Sequence, residues 1–143
     1  MTLDITQAGL LLPVSESLVD VLKLYLCKHA MPADACAVTF NFRDSTYSAE
    51  SGGFHPVEIR LYKDQDSWQW DYITDFAYQG PIGMAELTKE LDFNLQTGSA
   101  YSLLTGELTE LPAHELYQLW ESNFLSYESM GCFDEIKVTY DKS

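Results

Sequence analysis

From Ser15 onward the apolar residues recur at helical spacing, with Leu18, Val21, Leu22, Tyr25 and Leu26 on one stripe. Ser15 or Ser17 is placed to cap the free N–H groups. Glu16 and Asp20 then stand in the first turn, where the helix dipole favours anions. Lys28 and His29 suit the far end, and Pro32 bars continuation.

The period then changes from 3.6 to 2. Across residues 37–43, Val38, Phe40 and Phe42 share a face. A polar loop, residues 44–53, ends in Gly52-Gly53, a turn or bulge signal. Across residues 54–63, His55, Val57, Ile59 and Leu61 alternate with Phe54, Pro56, Glu58, Arg60 and Tyr62. Pro56 cannot donate to a ladder and belongs at the strand start or an edge. Residues 68–79 carry the plainest alternation. Trp68, Trp70, Tyr72, Phe76 and Tyr78 fall on one face, and Gln69, Asp71, Ile73, Asp75 and Ala77 on the other. After the breaker Gly80-Pro81-Ile82-Gly83, residues 88–96 set Lys89, Leu91, Phe93 and Leu95 opposite Glu90, Asp92 and Asn94. Thr97-Gly98 then turns the chain into a short strand over residues 101–104.

A second helix is predicted from Pro112 to Met130, with Ala113, Leu116, Tyr117, Trp120, Phe124 and Tyr127 as its apolar stripe and Gly131 as its stop. A final strand follows over residues 135–141. Strands that arrive consecutively through short turns pair antiparallel. The expected fold is therefore a single α+β domain over residues 1–143. Its twisted antiparallel sheet has five to seven strands, and an N-terminal and a C-terminal helix cover its aromatic side.

Composition narrows what such a fold can do. The 143 residues hold 22 Asp and Glu against 8 Lys and Arg, a net charge of −14. That surface repels phosphate backbones and anionic lipid, so neither direct nucleic-acid binding nor a membrane is expected. Basic proteins, cations and cationic ligands are the attractive partners, although acidic surfaces also serve solubility alone. No run approaches the roughly 20 apolar residues of a membrane span. The short run Ala8–Val14 has Asp4 before it and no basic residue, unlike a secretory signal. With Cys27, Cys36 and Cys132 an odd set lacking a CxxC pair, reduced thiols and a cytoplasmic location are expected.

No GxSxG, Walker-type loop, GxGxxG or HExxH is present, so no catalytic residue and no cofactor is assigned. His55, beside Gly52-Gly53, is an acid–base candidate, as are paired carboxylates of the acidic face if one is buried enough to hold a raised pKa. Glu58, three residues along a strand, points to the opposite face, so a hydrogen-bonded core or edge histidine is expected. Cys27, His29, Cys36, His55, His114 and Cys132 show no finger or ribbon spacing, and no metal site is expected. Asp71, Asp75, Glu90, Asp92 and Glu58 are placed together on the wetter sheet face. There they form either an anionic platform for a basic partner or a merely solvated surface.

Residues 41–59, the strand over residues 68–79, and the segment Glu115-Leu116-Tyr117-Gln118-Leu119-Trp120 through Tyr127 resemble a family of small bacterial proteins of unknown function. That family is similar in fold to the acidic mitochondrial-matrix glycoprotein that binds the globular heads of complement. The resemblance implies helices packed on a strongly twisted antiparallel sheet, a binding role and a homo-oligomer, and it transfers no catalytic residue.

The leading expectation is a non-enzymatic binding or scaffold protein for a basic protein partner. The alternative is a small-molecule enzyme or ligand-binding domain centred on Gly52–Glu58, with Tyr47, His55 and Arg60 nearby. Mimicry of nucleic-acid charge by the acidic face is a third reading.

Overall fold

The computed structural model describes residues 4–142. The elements run α1 (Glu16–Leu26), β1 (Ala35–Arg43), β2 (Val57–Asp64), β3 (Ser67–Gln79), β4 (Glu86–Asn94), β5 (Ser99–Ser102), β6 (Gly106–Leu108), α2 (Glu110–Ser129) and β7 (Glu135–Lys142). The strands form one antiparallel sheet in the order β6-β5-β4-β3-β2-β1-β7. This is the α+β architecture expected, with one strand more than the alternation revealed. Gly106-Glu107-Leu108 is too short to show a period.

Each helix starts and stops for local reasons. Ser15 caps α1 by accepting a bond from the Leu18 N–H at 3.3 Å. Helix α2 begins at Glu110, before the proline, and its cap residue Thr109 makes no side-chain bond. Its N-terminal half is held instead by packing, because Ala113 and Tyr117 are fully buried.

Both helices pack on one face of the sheet. Val38, Phe40 and Phe42 of β1, Val57, Ile59 and Leu61 of β2, and Phe93 of β4 meet Leu18 and Leu22 of α1 and Tyr117, Trp120 and Phe124 of α2. Burial of this apolar surface, at roughly 25 cal/mol per Å², drives the layering. Edge-on aromatic contacts specify its geometry. Phe42 lies 5.0 Å from Phe124 at 84°, and Phe93 lies 5.2 Å from Tyr117 at 85°.

Two bulges correct the expected faces of β3 and β4. Arg60 pairs with Tyr72 and Leu61 with Trp70, which leaves Asp71 as an extra residue. The phase of β3 therefore inverts at Asp71. Trp68 and Trp70 face the helices, but so do Ile73 and Asp75, whereas Tyr72, Thr74 and Phe76 turn to the helix-free face. Tyr72 and Phe76 thus do not share the tryptophans' side. Likewise Asp75 pairs with Leu91 and Phe76 with Lys89, leaving Glu90 as the extra residue of β4. Lys89 consequently lies on the same face as Asp92, 3.8 Å away, and Glu90 joins Leu91 on the helix side.

Candidate cleft between helix α2 and the sheet

The loop between β1 and β2 is shaped by one carboxylate. Asp44 accepts from the Thr46 hydroxyl at 2.6 Å, the Thr46 N–H at 3.0 Å and the Phe54 N–H at 3.1 Å. The Thr46 bond, then the two backbone bonds, hold its carboxyl below the usual carboxylate range. Gly53 lets the loop close over it. At φ 137° its backbone suits glycine, and a Cβ there would stand 2.8 Å from Asp44 Oδ2 and 3.0 Å from the Tyr47 Cα. The closed loop brings Tyr47 onto the His55 ring at 5.3 Å and onto Tyr78 at 5.1 Å. The Tyr47 hydroxyl also accepts the Tyr78 N–H at 3.0 Å.

His55 is thereby delivered to the helix side of the sheet. Its Nδ1 lies 2.9 Å from Asp75 Oδ1 and 3.3 Å from Glu90 Oε2. Asp75 is held from the other side by the Trp120 indole, which donates to Oδ2 at 3.1 Å. These groups edge a cavity of about 310 Å³ whose apolar walls include Phe54, Leu116, Leu119, Trp120, Phe124 and Tyr127. That volume is at the small end for ligand sites, about 300–1,000 Å³, with the usual mixture of apolar wall and a few convergent polar groups.

The structure divides the residues singled out from sequence. His55, Asp75 and Glu90 come together in the cleft, and Tyr47 packs on the His55 ring beside it. Glu58, Arg60, Asp71 and Asp92 lie on the opposite, helix-free face. There Arg60 pairs with Asp71 at 2.5 Å, Tyr72 donates to Glu58 at 2.5 Å and Thr74 donates to Asp92 at 2.7 Å. The single acidic platform expected from alternation is therefore two sites, because each bulge carries one acid across the sheet. Arg60 also stands away from His55, not beside it. The cleft's helical wall, above all Trp120, went unassigned as a site residue. It reads in sequence only as one more apolar position on α2.

The Asp75 hydrogen bond raises the His55 pKa above its ordinary value, with partial burial opposing and the charges of Asp75 and Glu90 adding to the rise. A folded-state value above the unfolded one means that the imidazolium stabilises the fold. That contribution is full below the ordinary histidine pKa of about 6.5 and fades as pH rises through the higher folded value. The His55 ring resonances of the ligand-free protein should titrate above that ordinary value. Asp75→Asn should bring the midpoint down and flatten the corresponding limb of the stability–pH curve. An unchanged midpoint in the variant would contradict the assigned cause.

The three cysteines are unpaired, with Cys27 exposed. No helix among the described residues is long and apolar enough to cross a membrane.

Fold and cleft together define an α+β protein in which two helices cover one face of a seven-stranded antiparallel sheet, with a polar triad opening beside the second helix. The chain belongs to the DUF2787 family, a protein family of unknown function, whose model matches residues 14–139. Among solved structures it is similar to the hypothetical protein VC0508 from the VSP-II pathogenicity island of Vibrio cholerae. The two are 38% identical with a TM-score of 0.86, over 98% of this chain and 100% of that one. It is also similar to the conserved hypothetical protein VC1805 from pathogenicity island VPI-2 of Vibrio cholerae O1 biovar eltor. There the identity is 44% and the TM-score 0.79, over 92% of this chain and 98% of that one. VC1805 is described as sharing structural homology with the human P32 protein. A search of curated proteins finds no match.

Proposed function

We propose that this chain is a non-enzymatic binding or scaffold protein that recruits a basic protein partner, and that the cleft receives a cationic side chain of that partner. The observation that carries this reading is the pairing of two carboxylates with an apolar slot. Asp75 and Glu90 lie at one side of walls made by Leu116, Trp120 and Phe124. A lysine or arginine matches that arrangement, since its methylene stem covers apolar surface while its head seeks anions. Asp75 is 13% exposed, so an ion pair there is less screened than one on open surface. The net charge of −14 would steer such a partner toward the protein before contact.

Isothermal titration with a lysine- and arginine-rich peptide, at low and high salt, tests this. Affinity should fall steeply with salt. The double substitution Asp75→Asn and Glu90→Gln should weaken binding at least about tenfold, equal to about 1.4 kcal/mol. Neutralising Glu16 and Asp20 on α1 should matter far less. Equal affinity for the cleft variant and the unmodified protein would refute the reading. The cavity itself favours a second reading, a small amphipathic cation as ligand. A free arylalkylammonium that binds as tightly as the peptide would support that one.

Self-association, which the family resemblance drawn from the sequence implies, is part of the same proposal. Light scattering on the purified chain measures it. The acidic surface and unpaired thiols support a cytoplasmic location.

A further inference from the structure

We propose that His55, Asp75 and Glu90 bind a divalent cation of the zinc, cobalt or nickel class through His55 Nδ1 and one oxygen of each carboxylate. Three separate segments supply the ligands: the loop before β2, the centre of β3, and the bulge of β4. Their ligand atoms all lie within 4.8 Å of one another. Nδ1 stands 2.9 Å from Asp75 Oδ1 and 3.3 Å from Glu90 Oε2. Ligands bonded to one ion at about 2.0–2.2 Å, with octahedral or tetrahedral angles, are roughly 2.8–3.6 Å from each other. The two separations already fall in that interval. Binding then displaces a proton. The Nδ1 proton leaves to solvent, the nitrogen lone pair goes to the ion, and the remaining ring proton stays on Nε2.

The donor set selects the metal. One imidazole with two carboxylates suits borderline ions, whereas magnesium and calcium take oxygen throughout. No Lys or Arg ion pair to Asp75 or Glu90 occurs among the described residues, so no lysine or arginine has to be displaced, and His55 itself gives up its positive charge with its proton. Trp120 acts as a positioning residue. Its indole N–H holds Asp75 Oδ2 and thereby turns Oδ1 toward the site, the role that outer-shell donors play around protein metals. His55 and Glu90 are 36% and 31% exposed, so remaining coordination positions open into the cleft.

This inference stands on ligand geometry and is independent of the partner reading. An ion on these carboxylates would exclude a cationic side chain from them, making the metal a competitor for the cleft. The test is titration calorimetry of chelator-stripped protein with Zn²⁺, Co²⁺ and Mg²⁺. One site for Zn²⁺ and Co²⁺ is expected, with little response to Mg²⁺. His55→Gln and Asp75→Asn should each weaken Zn²⁺ binding by more than about a hundredfold, and Trp120→Phe by about 10–100-fold. Replacement of all three cysteines by serine should leave it intact. In the unmodified protein, Zn²⁺ should move the ring resonances of His55 and spare those of His29 and His114, a readout that needs no variant to fold. Absent binding, undiminished binding by Asp75→Asn, or shifts at His29 or His114 instead would overturn the assignment. The basic-peptide titration, run with chelator and then with Zn²⁺, separates the two ideas. Peptide binding without Zn²⁺ binding sinks only the metal site, and Zn²⁺ binding without peptide binding sinks only the partner.

Discussion

Phe42→Ala should lower the unfolding free energy by about 3–5 kcal/mol, read from denaturant titration. Phe42 is fully buried on β1, and its ring meets Tyr25 of α1 at 5.6 Å, Phe124 of α2 at 5.0 Å and Phe133 before β7 at 5.8 Å. It therefore ties the sheet to both helices. Alanine removes the ring and leaves a cavity that three separate elements would have to close together. Phe42→Leu, which keeps much of the volume, should cost less than half as much. A loss below about 1 kcal/mol for alanine, an ordinary value for any point substitution, would show that the helices are held elsewhere.

Glu121→Ala should be the next most damaging, by about 2–4 kcal/mol. This carboxylate is only 7% exposed, and one oxygen accepts both the Ser15 N–H at 3.1 Å and the Tyr117 hydroxyl at 2.7 Å. Burial, followed by the charge of Glu121, pushes the Tyr117 hydroxyl far up, so it remains a donor at every ordinary pH. Alanine would strand the buried Tyr117 hydroxyl away from water and leave the part-buried Ser15 N–H without its acceptor, which is where the cost arises. Glu121→Gln keeps an acceptor oxygen in place and should lose markedly less. Amide exchange should also locate the damage, with faster exchange in the first turn of α1 in the alanine variant. Equal stability of both variants would mean that the carboxylate is a bystander.

The order of elements was legible because most of the chain obeys a single period. Val38, Phe40 and Phe42 turn inward together, and Ser15 caps the first helix as its position suggests. Helix α2 and β7 likewise fall close to their expected bounds. Legibility failed where the period itself breaks. Alternation assigns a face by counting, and one unpaired residue at Asp71 reverses every face downstream of it. The same happens at Glu90. Asp75 and Glu90 were consequently assigned to the open face, and the cleft they help build was invisible to counting. His55 was placed well, on the side of Val57 and away from Glu58, because no bulge intervenes between them. The Asp44 bonds that fold Tyr47 over His55 have no periodic signature at all. The His55–Asp75–Glu90 triad joins residues 20 and 15 positions apart along the chain, a separation that matches no local metal motif.

The sheet's two borders carry a consequence for crowding. Exposed backbone along an outermost strand is an invitation to accretion by other chains. Here β6 offers only three residues, and β7 alternates Glu135, Lys137, Thr139 and Asp141 outward before Lys142. Short length protects one border and mixed charge the other. Fibril-like stacking through these margins is thereby discouraged.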